Sequence, residues 1–217
     1  MPSARTSSDA SSPAAGLAQV RMDGMTRGSF ILRGALASAA VYGAGAVAPF
    51  VQGAFAQSDA SDAGILDFAL RLEILEATFY IEALKQVPGM SREVRGVAQI
   101  LRDHEHQHAE TIHSATLQLG VKNSPPPKLD FGDAFSSQAR FLEVSQQLED
   151  TGVAAYNGAA PIIFAGRLLD IAAEIVQVEA RHAATIRDLR GQPISDGAFD
   201  KPLDADQVAQ RVKPFIK

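Results

Sequence analysis

From Ile65 onward, apolar side chains return at three- and four-residue steps: Ile65, Phe68, Ala69, Leu72, Phe79, Tyr80 and Ala83, with Glu73 and Glu76 set among them. That period is the stripe of an amphipathic helix, and Pro88-Gly89 ends it. Ser91, followed by Glu93 and Val94, opens a second helix running to Gly120. The short link from Val87 to Met90 makes the two antiparallel neighbours. Val121 to Asp133 contains Pro125-Pro126-Pro127 and is expected to be extended. A third helix is predicted from Ala134 to about Gly158, and Pro161 breaks the chain. A fourth is predicted from about Phe164 to Arg190, with Gly191 closing its C-terminus. A short helix over Asp204–Val212 completes an all-α reading.

The pattern repeats. Leu72-Glu73 is followed by Tyr80, and Leu148-Glu149 by Tyr156, each Tyr seven residues after the Glu. Glu105 to Ile112 and Glu179 to Ile186 both read E-x-x-H-A-x-T-I, which pairs Glu105 with His108 and Glu179 with His182. Two helical hairpins of one design are therefore expected, joined by the proline-rich link. About 13 extended residues span roughly 40 Å, the length of a long bundle helix. The link is expected to cross over, relating the hairpins by an approximate two-fold axis.

Composition narrows the chemistry. The 217 residues are 46% hydrophobic, but only 6% are aromatic and none is Trp, so Ala, Leu, Ile and Val must build most of the core. Cysteine is absent, so a metal would have to be held by oxygen and imidazole. Residues 1–24 are rich in Ser, Ala, Gly and Pro and read as disordered. Gly34 to Ser58 carries no charge, follows Arg27 and Arg33, and contains Ala54-Phe55-Ala56 before Gln57. This is the layout of a cleaved secretory signal, predicting export to the periplasm or beyond. Pro49 and four glycines in the run argue against a permanent anchor. Thr26-Arg27-Gly28-Ser29-Phe30-Ile31 resembles a twin-arginine motif with Gly28 in place of the second arginine. The expected division is a leader at 1–56, a bundle at 57–191 and a tail at 192–217. Loss of the leader moves the formal net charge from −5 to −7, with 16 basic and 23 acidic side chains left. So acidic a chain, with no basic stripe, is not expected to bind nucleic acid.

Seven residues are nearly two helical turns, so Glu73 shares a face with Tyr80, and Glu149 with Tyr156. Those faces are otherwise apolar, and a buried carboxylate must be protonated, paired or bound to a cation. In each Glu-x-x-His, residues three apart lie side by side. One Glu from each of two helices and one Glu-x-x-His from each of the others give four carboxylates and two imidazoles. That is the donor set of two-metal bundle proteins. Four carboxylates also neutralise two divalent cations. Glu76 is matched by Gly152 in the repeat and is expected to support a ligating His or to be an outlying ligand. His104 is placed to compete with Glu105 as a ligand, though the repeat has Val178 there. His106 and His113 read as surface residues.

The chain resembles the ferritin-like superfamily, and more closely its exported branch similar to desiccation-related proteins. The residues carrying that likeness are Leu72 to Tyr80, Asp103-His104-Glu105, Leu148 to Ala160 and Val178 to His182. The resemblance implies a ferritin-like four-helix bundle with its long crossover between the second and third helices. It implies metal ligation by Glu73, Glu105, His108, Glu149, Glu179 and His182, with carboxylates able to bridge. Two iron ions are the implied cofactor, with manganese as the alternative. Tyr80 and Tyr156 become the candidate catalytic groups, either redox-active or supporting the ligands. Two functions stay open. One is Fe(II) oxidation or peroxide handling, with dioxygen or peroxide as partner, in extracytoplasmic stress protection. The other is a non-catalytic stress or desiccation protein whose metal is structural or vestigial. Homo-oligomers are compatible with either.

Overall fold

The computed structural model describes residues 62–120 and 123–217. The expected leader, residues 1–56, lies outside them. Among the described residues there are five α-helices: α1 (Asp62–Gln86), α2 (Arg92–Gln118), α3 (Gln138–Ala159), α4 (Gly166–Leu189) and α5 (Ala205–Val212). None is long and apolar enough to cross a membrane. α1 packs along α2 and α3 along α4, and the two hairpins meet through α2 with α4 and α1 with α3.

Caps explain most of the boundaries. Ser91 Oγ accepts the Val94 N–H and opens α2. Sequence periodicity placed the start of the third helix at Ala134, but Ser137 is extended and its Oγ accepts the Arg140 N–H, so α3 begins at Gln138. Residues 131–136 instead form turns that put Phe131 and Phe135 into the core. α4 has no side-chain cap of its own. Asp62, at the start of α1, fills that role, its carboxylate accepting the Phe164 and Ala165 N–H groups at 2.9 and 2.8 Å.

The two ends of the bundle are packed differently. At one end Phe79 lies 5.3–5.5 Å, centroid to centroid, from Tyr80, Phe131, Phe135 and Phe141. The tail seals this end: Val208, Val212 and Phe215 are buried in the same cluster. Ile216 pairs antiparallel with Leu129 of the crossover, so tail and crossover brace each other. Gly158 lets the tail pass, because a Cβ there would lie 1.8 Å from the Leu203 carbonyl oxygen. The opposite end is aliphatic, built from Leu66, Leu70, Ile112, Leu168, Ala172 and Ile175 around Tyr156.

Candidate metal centre

Between these two apolar clusters lie the charged residues. Glu73, Glu105, Glu149 and Glu179 are each at most 1% exposed, His182 is 3% exposed and His108 9%. The structure brings all six together as two overlapping groups, Glu73–Glu105–His108–Glu179 and Glu105–Glu149–Glu179–His182. In each group the ligand-type atoms lie within 4.8 Å of one another. Glu105 and Glu179 belong to both groups and turn one oxygen to each. Glu105 offers Oε2 to His108 and Oε1 to His182; Glu179 offers Oε1 to His108 and Oε2 to His182. Glu73 and Glu149 each serve one side.

The spacing tests whether a cation fits. His108 Nδ1 lies 2.9, 3.1 and 3.3 Å from oxygens of Glu179, Glu105 and Glu73. With metal–ligand bonds of about 2.1 Å, neighbouring ligand atoms are separated by about 3.0 Å in an octahedron and about 3.4 Å in a tetrahedron. On the other side His182 Nδ1 lies 2.8 and 3.3 Å from Glu105 and Glu149, and 4.0 Å from Glu179. His108 Nδ1 and Glu105 Oε2 are hydrogen-bonded, but most of the other contacting atoms are not. Glu73 Oε2, Glu105 Oε1, Glu149 Oε2, both Glu179 oxygens and His182 Nδ1 are buried without a hydrogen-bond partner. Buried polar atoms without partners, crowded this closely, call for a missing group. The residues present fit a bound metal.

The metal-free electrostatics express the same crowding. Burial pushes the Glu73 carboxyl up to about 7 against the pull of His108 and Tyr156. Burial, and then neighbouring carboxylates, push Glu76 and Glu179 well up, and burial raises Glu149. Burial opposes protonation of His108 and His182, but Glu105, with Glu179 and Glu149 respectively, overrides it and holds them up to about 12 and about 10. Glu105, facing both imidazoles, is pulled down to about 2 despite its burial. In the absence of metal, protonated histidines therefore stand in as the cations.

The tyrosines cross between hairpins. Tyr80 of the first donates to Glu149 Oε1, and Tyr156 of the second donates to Glu73 Oε1. Each bond fixes one carboxylate oxygen and leaves Oε2 turned to the imidazole side. Burial, then the adjacent carboxylate, raises both phenols, so they remain donors. Ser145, buried and hydrogen-bonded to the Tyr80 hydroxyl, was not singled out from sequence. Its only signal there is a hydroxyl on an apolar helical face. His104 is not among the ligand-type atoms: its Nδ1 meets His182 Nε2 at 2.9 Å, on the side of the ring away from the carboxylates. With Nδ1 of His182 free to ligate, Nε2 carries the proton and His104 accepts it. Glu76 contacts neither imidazole through a hydrogen bond or ion pair of the centre and lies opposite Gly152. His106 and His113 are exposed.

Fold and site together define a class: an all-α bundle with a buried carboxylate–histidine cluster compatible with metal binding between two matched hairpins. The chain belongs to the ferritin-like family, whose domain model, described as a ferritin-like domain, matches residues 61–192. No curated protein matches the chain.

Proposed function

We propose that this is an exported di-metal carboxylate protein, holding iron or manganese, that oxidises Fe(II) or disposes of peroxide in stress protection outside the cytoplasm. The observation that carries this reading is the pair of half-sites sharing both oxygens of Glu105 and of Glu179. A lone structural cation needs one such set, whereas two adjacent redox metals supply the two electrons that peroxide reduction takes up. Glu73, His108 and one oxygen each of Glu105 and Glu179 would hold one ion. Glu149, His182 and the remaining oxygens would hold the other. Four carboxylates offset the charge of two divalent cations, which removes the cost of burying them. Tyr156 and Tyr80 hold the terminal carboxylates in place and keep a proton beside each.

Access supports the same reading. An apolar cavity of ≈ 50 Å³, lined by Leu66, Leu72, Ile112, Leu168 and Ile175, reaches Tyr156 and so the Glu73 side. It has room for a molecule of dioxygen or peroxide size. Export rests on the uncharged run from Gly34 to Ser58 with Ala54-Phe55-Ala56. The deciding experiment loads the metal-free protein with Fe(II) anaerobically, counts bound iron, then admits oxygen or peroxide and follows its consumption. Two irons per chain and consumption of either oxidant in proportion to bound iron are expected. Two bound irons with no consumption would favour the structural-metal alternative, and no bound iron or manganese would remove the proposal.

A further inference from the structure

The internal repeat places Gly152 where the first hairpin has Glu76, so the pseudo-two-fold centre carries a fifth carboxylate on one side only. Glu76 is 4% exposed, although a lone carboxylate in that setting is unfavourable. None of the hydrogen bonds and ion pairs of the centre includes it. Its carboxylate lies against the glycine opposite. A Cβ on Gly152 would lie 3.3 Å from Glu76 Oε1 and 3.1 Å from Glu179 Oε2. Both oxygens thus border the one spot that the missing side chain leaves open.

Glu179 Oε2 is the oxygen turned toward His182, and the Glu149–His182 half is the looser of the two. His108 Nδ1 has three carboxylate oxygens within 3.3 Å, whereas His182 Nδ1 has two, its third standing 4.0 Å off. Glu76 stands beside that same Glu179 oxygen across the space over Gly152, just outside the two groups of close ligand-type atoms. Along α1 the order is consistent: Glu73 serves the His108 half, Tyr80 reaches Glu149, and Glu76 lies between them.

We propose that Glu76 is a fifth carboxylate ligand, belonging to the Glu149–His182 half and without a counterpart in the other. The two metal positions are then unequal in charge. Five carboxylates exceed two divalent cations by one negative charge, and the surplus falls on the position Glu76 serves, which fills first and holds its ion more tightly. This deepens the two-metal reading and rests on it.

The test is calorimetric titration of the metal-free full chain with Mn(II), for wild type, Glu76→Gln and Glu76→Asp, with melts of each apo form. Wild type is expected to bind in two unequal steps. Glu76→Gln should weaken the tighter step by about 10-fold or more, the scale on which residues around a metal act, and leave the weaker step unchanged. Glu76→Asp keeps the charge but withdraws it by one methylene, and should weaken the same step. Apo melts should match or exceed wild type, because an unpaired buried carboxylate is lost or moved. Equal steps in wild type overturn the proposal, as do unchanged steps in Glu76→Gln. Equal weakening of both steps by Glu76→Gln, with Glu76→Asp like wild type, also overturns it by showing a general field and no ligation. If wild type binds no Mn(II) or Fe(II), the two-metal reading itself fails. If wild type binds two ions and the variants do not differ, only the role of Glu76 fails.

Discussion

Glu73→Gln separates the cost of the centre without metal from its value with metal. Glu73 is 1% exposed, and its carboxyl is held up at about 7 from an ordinary 4.5. A carboxyl with a higher pKa folded than unfolded binds its proton more tightly in the fold. It favours folding below 4.5 and turns against it as pH climbs from 4.5 through 7. At 1.36 kcal/mol per pH unit, the ionised side chain costs about 3 kcal/mol above pH 8. Glutamine never ionises, and its Oε1 still accepts the Tyr156 hydroxyl. Comparing the metal-free proteins, the variant should gain about 3 kcal/mol on wild type between pH 4 and pH 8, or roughly 6–12 °C of melting temperature for a chain this size. Melts in chelator across that range measure it directly. Adding Mn(II) at pH 8 should reverse the order, since wild type alone keeps the full donor set on the His108 side. An offset that does not change with pH, or a variant less stable at pH 8 without metal, would refute the electrostatic reading of the site.

Metal binding should expel protons, because His108 and His182, held up to about 12 and about 10, must be neutral to ligate. Titrations at pH 7 in buffers of different ionisation enthalpy should therefore show proton release, and affinity should rise with pH. The raised imidazoles stabilise the metal-free fold fully below 6.5 and lose that contribution as pH climbs toward those values, so the stabilisation by metal should widen over the same window. His104→Ala removes the acceptor behind His182 and should weaken one of two Mn(II) steps by about 10-fold or more, leaving the other as it was. Gly158→Ala puts a methyl into the Leu203 backbone, and should cost about 1–3 kcal/mol and expose the tail to limited proteolysis.

Much of this was legible in the sequence because helical period and repeat spacing decide which residues share a face. Glu73, Glu105, His108, Glu149, Glu179 and His182 could be singled out by that alone, as carboxylates and imidazoles on otherwise apolar stripes. The opposing partners were not legible. Tyr80 shares a face with Glu73, yet its hydroxyl reaches Glu149 across the bundle, and no spacing within one helix encodes that. His104 shows the same limit. Four residues before His108 it looked like a rival ligand, but helix rotation carries it behind His182. The packing of the proline-rich link and the tail into the core was not legible for a related reason. Phe131, Phe135, Val208, Val212 and Phe215 are too sparse to mark a face, and only their meeting at one end of the bundle makes them core.

Three departures from the repeat fall on the same side. Ser145 supports Tyr80 and through it Glu149, where the matching position holds Ala69. His104 supports His182, where the matching position before Glu179 is Val178. Glu76 leans toward the same half, and Gly152 is its counterpart. The other half has none of these additions, but Tyr156 joins its Glu73 to the aliphatic cavity. Polar support and access are thus divided between the halves. Hydrogen bonds to ligands rigidify a metal position, while a small apolar cavity admits a neutral molecule and gives charged ones no partner. A centre with two identical halves would hold and expose both ions alike. This one carries its added polar groups at Glu149–His182 and has the cavity behind Tyr156 on the Glu73 side, so substitutions in the first half should register in metal retention and substitutions along the cavity in reaction with the oxidant.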